Sequence, residues 1–223
     1  MHHLRTSDGS FTYQSPIFKE TFHSKHGALS ESQHVFIEAG LEALASENNN
    51  QPLWLFEMGL GSGLNALLTA QYAQSHSIEI NYQSLEAFPL PLSEIEGFEI
   101  GKQLESKSAE GEFRKIHECA WNQLSPINAN FSIIKNKVDF IQWSPPQEKY
   151  HGIYYDAFAP RAQSELWTPE IMEKLFSMLR SGGLLVTYCA QGQFKRNLKS
   201  AGFSVEPLPG PKGKREMTRA WKR

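Results

Sequence analysis

The stretch Leu53-Trp54-Leu55-Phe56-Glu57-Met58-Gly59-Leu60-Gly61-Ser62-Gly63-Leu64-Asn65 limits the fold more than any other. A short apolar run ends in an acid, three glycines follow at every second position, and an Ala/Leu-rich segment continues to about Ala73. That order spells a buried strand, a tight turn and a helix, the βα unit with which open α/β sheets bind nucleotides. Glycine spacing then separates the nucleotides. A dinucleotide fingerprint, G-x-G-x-x-G, lays its glycines against a pyrophosphate at a helix N-terminus. Here the third glycine falls one residue early. The strand-end acid Glu57 would repel a diphosphate but suits a cationic amino-acid ligand, so a dehydrogenase is disfavoured.

The chain has 223 residues, enough for one large α/β unit with a full core. Residues 1–51 are expected to form an N-terminal arm, hairpin and helix laid on the core, and residues 52–223 the main unit. No apolar run approaches the ~20 residues of a membrane span. Met1 to Asp8 lacks the apolar region of a secretory signal. Two cysteines, Cys119 and Cys189, match no metal spacing and are too few for a disulfide framework. A reduced, cytoplasmic protein without metal follows. The formal net charge of −2 excludes a uniformly basic nucleic-acid glove, yet cations gather late in the chain: Lys195, Arg196, Lys199, Lys212, Lys214, Arg215, Arg219, Lys222 and Arg223. Such a patch suits phosphates.

In order, Phe11 to Tyr13 and Pro16 to Phe18 are β-prone pieces of a hairpin or arm. Ser30 and Gln33 suggest a capping box for a helix carrying Val35, Phe36, Ala39 and Leu41 to Leu44. His23 and His26 precede it as surface-loop residues within reach of a site. Ile78 to Glu86 reads as the second strand, ending in an acid about twenty residues beyond the glycines, where such folds hold the ribose hydroxyls. Helix is expected around Phe113 to Leu124, then a strand over Phe131 to Ile134. The loop Asn136 to Asp139 lies where adenine is contacted, by Asp139 or a nearby backbone N–H. Gly152 to Asp156 forms a central strand ending in an acid, with Ala157-Phe158-Ala159-Pro160 turning at the sheet edge. Thr168 caps a helix with Pro169 at its first position, running to Arg180. Strand Leu184 to Cys189, a basic helix from about Gly192 to Ala201, and strands Phe203 to Glu206 and Glu216 to Trp221 complete the chain.

The Glu57 to Gly63 turn resembles motif I of class I S-adenosylmethionine methyltransferases. Nearly the whole chain resembles the methyltransferase part of the MnmC family of bacterial tRNA wobble-uridine modification enzymes. The resemblance rests on His34 to Leu41, Phe56 to Asn65, Leu85 to Leu90, Asp156 to Pro160 with Trp167-Thr168, and Gly213 to Met217. The Asp-x-Phe-Ala-Pro and Lys-Arg-Glu-Met pieces are the most specific. It implies a Rossmann-like, mostly parallel seven-stranded sheet with one antiparallel strand, and a short N-terminal β/α appendage. It also implies methyl transfer from S-adenosylmethionine to the amine of 5-aminomethyl-2-thiouridine in tRNA. The bifunctional members carry an FAD-dependent oxidase after this part, and the present chain ends at Arg223. A stand-alone form without flavin is expected, with its substrate amine supplied through a separate oxidase or aminomethylating enzyme. The family's loop acid has no counterpart at Lys137, and Asp139 lies two residues on.

On this reading Glu57, Gly59, Gly61 and Gly63 hold the methionine part of the donor, Asn65 adds a contact, and Glu86 holds the ribose. Asp156 is expected to orient the acceptor amine and take its proton. Phe158 and Pro160 wall the flipped base, and Lys195, Arg196, Lys214 and Arg215 meet the tRNA. Two rivals share these residues: a small-molecule amine methyltransferase, which would not need the late basic region, and a non-catalytic module of the same fold, which would not need the three strand-end acids.

Overall fold

The computed structural model describes residues 3–9, 11–14, 20–21, 27–47, 52–95, 103–104 and 106–223. His23 and His26, and the piece Pro16 to Phe18, lie outside the described residues. Strands β1 (His3–Arg5) and β2 (Phe11–Tyr13) pair antiparallel as a ribbon; Phe11 to Tyr13 is the expected β-prone piece, but its partner His3–Arg5 is not among the expected strands. A continuous helical run follows: α1 (Ala28–Ser32), a π-helical stretch (Gln33–Glu42) and α2 (Ala43–Glu47). Val35, Phe36, Ile37, Leu41 and Leu44 are its buried side. The expected Ser30–Gln33 capping box is not made. Gly27 is the N-cap residue, with no side-chain cap, so Ser30 lies inside the first turn. Its N–H donates instead to Asp8 Oδ2 at 3.2 Å, so an acid from the ribbon's turn serves the helix start.

The main sheet comprises β3 (Leu53–Met58), β4 (Ile80–Leu85), β5 (Ser125–Pro126), β6 (Phe131–Asn136), β7 (Tyr150–Tyr155), β8 (Leu179–Thr187), β9 (Ser204–Pro209) and β10 (Glu216–Trp221). Its order is β5-β6-β4-β3-β7-β8-β10-β9. The run β6-β4-β3-β7-β8 is parallel throughout, and β10 is antiparallel to both its neighbours. The expected seven strands with one reversed are present. An eighth, the two-residue β5, is added antiparallel on the edge of β6.

Strand alternation divides the core between two faces. Leu55, Tyr82, Tyr154 and Val186 pack with the π-helical stretch, α3 (Leu64–His76) and α5 (Ala109–Glu118). Phe56, Ile153, Tyr155 and Leu185 pack with α6 (Pro169–Met178) and α7 (Gly192–Ser200) on the other face. Between α3 and α5 lies the short α4 (Leu92–Ile95). Two helix ends differ from expectation. Helix α5 stops at Glu118, not Leu124, because Cys119 is already extended. Helix α6 stops at Met178, not Arg180, because Leu179 is extended and pairs with Tyr150. The α6 start is as expected: Thr168 Oγ1 accepts from Ile171 N–H at 3.4 Å, with Pro169 following.

This order places the topological switch between β3 and β7, where ligands bind beyond the strands' carboxyl ends. Met58 and Tyr155 are register partners, so Gly59 and Asp156 leave the sheet side by side.

Candidate active site

The glycine turn is built by backbone conformation. Gly59, Gly61 and Gly63 have φ of 85°, 51° and 77°, so the every-second-residue spacing answers a run of left-handed positions. Gly63 is constrained twice, since a Cβ there would lie 2.8 Å from His117 Nε2. That imidazole donates to Ser62 O at 3.0 Å and so props the turn from α5. Burial, the largest cause, and the nearby Lys135 hold its pKa down at about 4, against a smaller opposing effect of the Ser62 contact. It is therefore neutral, with its proton on Nε2 for the Ser62 carbonyl.

A cavity of about 810 Å³ opens at this edge, within the range of small-molecule sites. It is walled by the segments after β3, β4, β6 and β7, with Glu31, Phe36, Tyr188 and Lys214 closing one side. Of the residues expected to form the site, Gly59, Gly61, Asn65, Glu86, Asp139, Asp156, Phe158 and Lys214 line it. Glu86 organises two segments: Oε2 accepts from Gly61 N–H at 3.0 Å and Oε1 from Phe88 N–H at 2.8 Å. Asp139 Oδ1 accepts from Ile141 N–H at 2.8 Å, which shapes the loop after β6.

Asp156 is partly buried at the end of β7, where Oδ2 accepts from Asn65 Nδ2 at 2.9 Å. Desolvation, then the charge of Glu31, push its pKa well above the usual carboxylate value, and Asn65 and Lys214 oppose them. The turn beyond it is fixed by its backbone. Phe158 N–H donates to Gln163 Oε1 at 3.1 Å, Trp167 Nε1 donates to Phe158 O at 2.9 Å, and Tyr188 OH donates to Ala157 O at 2.8 Å.

Other expected positions lie elsewhere. Glu57 does not line the cavity. It is fully buried on the α3 face of the sheet, with Oε2 accepting from Ser84 Oγ at 2.8 Å. Desolvation raises its pKa well above normal, opposed by Ser84 and reinforced by Asp156. Gly63 also stands back from the cavity, as the N-cap residue of α3. Pro160 and Arg215 line a shallower groove of about 520 Å³, which shares Ala159, Tyr188 and Lys214 with the cavity. Lys195 and Arg196 line neither, because Lys195 Nζ is held by Glu216 Oε2 at 2.7 Å and Arg196 Nη2 by Gln193 Oε1 at 2.7 Å.

Sequence reasoning missed Glu31, His117, Gln163 and Tyr188. None stands in a recognisable spacing; Gln163 folds back from five residues beyond Phe158, and the other three reach the site from elements far away in the chain. For Tyr188 a weak signal existed, its place just past the end of a central strand.

Whether these residues suit a sulfonium nucleoside is tested by unmet polarity. Asn65 Oδ1 and Glu57 Oε1 are buried with no hydrogen-bond partner among the described residues. Of the two, Asn65 lines the cavity, and its unmet acceptor beneath the glycine turn suits an amino-acid ammonium; Glu57 does not reach the cavity, and Glu86 stands where a ribose diol would meet it. The fit is good. Among the described residues no cluster of His, Cys, Asp or Glu suits a metal ion, and no helix is long and apolar enough to cross a membrane.

Fold and site together define a class I methyltransferase. A family model described as S-adenosyl-L-methionine-dependent methyltransferase matches residues 102–223, and the chain belongs to that family. S-Adenosylmethionine is its methyl donor. Among relatives, the tRNA 5-methylaminomethyl-2-thiouridine biosynthesis bifunctional protein MnmC of Leptospira interrogans is 27% identical over 96% of this chain and 34% of its own length. That of Pseudoalteromonas atlantica is also 27% identical, over 96% of this chain and 33% of its own. The chain thus spans about a third of the length of these curated relatives. The solved structure of MNMC2 from Aquifex aeolicus superposes with a TM-score of 0.76 at 22% identity, covering 100% of this chain and 70% of that one, a likeness of fold.

Proposed function

We propose that this methyltransferase acts on the aminomethyl nitrogen of 5-aminomethyl-2-thiouridine at the wobble position of tRNA. The observation that carries the reading is Asp156: a carboxylate fixed by Asn65 where the donor cavity adjoins a groove bearing Lys214 and Arg215. The printed names of the MnmC relatives support the acceptor.

The bound donor supplies an electrophilic methyl group on a sulfonium. Everything else falls to the chain. Gly59, Gly61 and Glu86 bind and orient the donor, with Glu57 acting beneath the turn and not by contact. Asp139 or the adjacent backbone borders the adenine. A primary amine carries a proton at neutral pH and attacks only as the free base. Asp156 accepts hydrogen bonds from the amine and takes up the proton released as the N–methyl bond forms. A carboxylate whose pKa is raised is the better acceptor for that proton. Phe158 and Pro160 wall the base, and positioning supplies most of the acceleration.

The test is labelled methyl transfer to tRNA carrying the aminomethyl nucleoside. Asp156→Ala should slow transfer by about 10²-fold or more while leaving donor binding intact. The acidic limb of the wild-type kcat/KM profile should lie above the ordinary carboxylate range, because ionisation of Asp156 is displaced upwards. Near-normal turnover in Asp156→Ala refutes the role. A small-molecule amine acceptor is the second reading, favoured by the pairing of Lys195, Arg219 and Lys222 with acids, which leaves less charge for phosphates. Label appearing in a metabolite pool and not in tRNA would select it.

A further inference from the structure

The turn beyond Asp156 carries a cation with no part in the chemistry at Asp156. Ala159 O accepts from Ala162 N–H at 2.7 Å and from Gln163 N–H at 3.1 Å, so Pro160 and Arg161 are the central residues of a closed turn. Arg161 is the one arginine among the described residues that line the cavity, and its side chain is 75% exposed. Its guanidinium grips Glu20 as a fork: Nε donates to Oε1 at 2.8 Å and Nη2 to Oε2 at 3.0 Å. Glu20 belongs to the N-terminal arm, where the adjacent Thr21 bridges antiparallel to Gln14, just past β2. Glu20 and Thr21 both border the cavity. A phosphate offers that fork the same pair of oxygens as a carboxylate. An exposed ion pair holds weakly, so a phosphodiester can displace Glu20. Position selects which one. Phe158 and Pro160 are the proposed wall for the base, and Arg161 follows directly, at the rim where the nucleotide's sugar and phosphates leave the cavity.

We infer that Arg161 is a positioning residue for the flipped nucleotide: Glu20 holds its fork in the free protein, and the fork transfers to a phosphate flanking the modified uridine when RNA enters. The inference rests on the tRNA acceptor proposed above, and it leaves the amine, as its free base, to Asp156. Glu20 is then a competitor of the RNA. An ion pair that only anchored the arm would make Glu20 and Arg161 act alike on RNA binding. The exchange makes them act with opposite signs.

The experiment measures binding of anticodon stem-loops carrying 5-aminomethyl-2-thiouridine to the protein loaded with S-adenosylhomocysteine. One RNA keeps every phosphate; in the others an uncharged methylphosphonate replaces the phosphate before or after the modified uridine. Wild type should lose about tenfold or more in affinity for one of the replaced RNAs, the scale of a charge-assisted bidentate contact. Arg161→Gln should bind the natural RNA as weakly as that, with no further loss on replacement. Arg161→Lys, which keeps the charge but not the fork, should restore only part of the affinity. Glu20→Gln should tighten the natural RNA by about two- to fivefold, the scale of an exposed ion pair removed as competitor. Affinity for S-adenosylhomocysteine should be retained throughout. The exchange is overturned if neither replacement weakens wild type, if the loss persists in Arg161→Gln, or if Glu20→Gln and Arg161→Gln weaken RNA binding alike. Weaker S-adenosylhomocysteine binding in Arg161→Gln would assign the fork to the donor's carboxylate and overturn it too. Labelled methyl transfer keeps this inference apart from the acceptor on which it rests. RNA bound through Arg161 that takes no label refutes the tRNA acceptor and leaves the exchange standing; RNA labelled and bound without regard to Arg161 does the reverse.

Discussion

His117 fixes the donor turn through one hydrogen bond, and its proton balance makes that bond visible. Its pKa in the fold, about 4, lies below the ordinary 6.5. Between those values the unfolded chain takes up a proton at this residue and the native one does not. The stability it contributes is therefore complete above about pH 6.5 and is lost as the pH falls towards 4. In urea titrations over that window, wild type should lose more stability than His117→Gln, and the imidazole resonances should titrate near 4. A midpoint near 6.5 would show that the ring is not buried against Ser62. Single residues were legible in the sequence where the backbone made a demand or a strand ended in an acid. Gly59, Gly61, Glu86 and Asp156 fall in that class. Glu31 and His117 do not, since a buried acid and a half-buried imidazole in helices look like any others until tertiary packing brings the first to the cavity and the second against the glycine turn. Glu57 was recognised as special but assigned a contact; strand alternation turns it to the α3 face instead.

Among elements, α6 offers the cleanest test of local logic. Thr168 is its N-cap, with a hydrogen bond at the long end of the range, 3.4 Å. Thr168→Ala should therefore cost about 0.5–1 kcal/mol, the lower part of the capping range, read as a lowered urea midpoint with unchanged slope. A loss of activity beyond that stability change would mean that the cap also positions the Phe158 turn through Trp167. The parallel strands were legible because they are apolar on both faces and end in acids or turns. The π-helical stretch Gln33–Glu42 was not, because its side-chain pattern still reads as an ordinary amphipathic helix. Nor was β5, two residues long and including Pro126, whose pairing is set by the edge of β6 and not by propensity.

Across the whole molecule, charge is arranged less simply than the late basic run suggests. Lys195, Lys214, Arg219 and Lys222 are paired with Glu216, Glu31, Glu206 and Glu148. Arg215 borders the groove and has no ion pair among the described residues. Arg215→Ala should thus raise KM for tRNA and reduce the salt slope of binding by about 1, the expectation for one lost phosphate contact. Lys195→Ala should change the slope little. Equal effects would mean that the Lys195–Glu216 pair opens on binding.

The β9–β10 hairpin has a further consequence, for assembly. It covers β8, whose Leu184, Leu185 and Val186 are fully buried. Until the hairpin docks, β8 is an open apolar edge, able to recruit a strand from another chain. Gly210 governs the hairpin's bend, since a Cβ there would lie 2.6 Å from Lys214 O and 2.9 Å from Glu216 N. Gly210→Ala should therefore reduce the yield of soluble refolded protein, measured by light scattering during dilution from denaturant. A variant refolding as cleanly as wild type would show that the bend can shift without undocking the strand. The turn that carries Lys214 to Glu31 is thus also the one on which the docking of β10 over β8 depends.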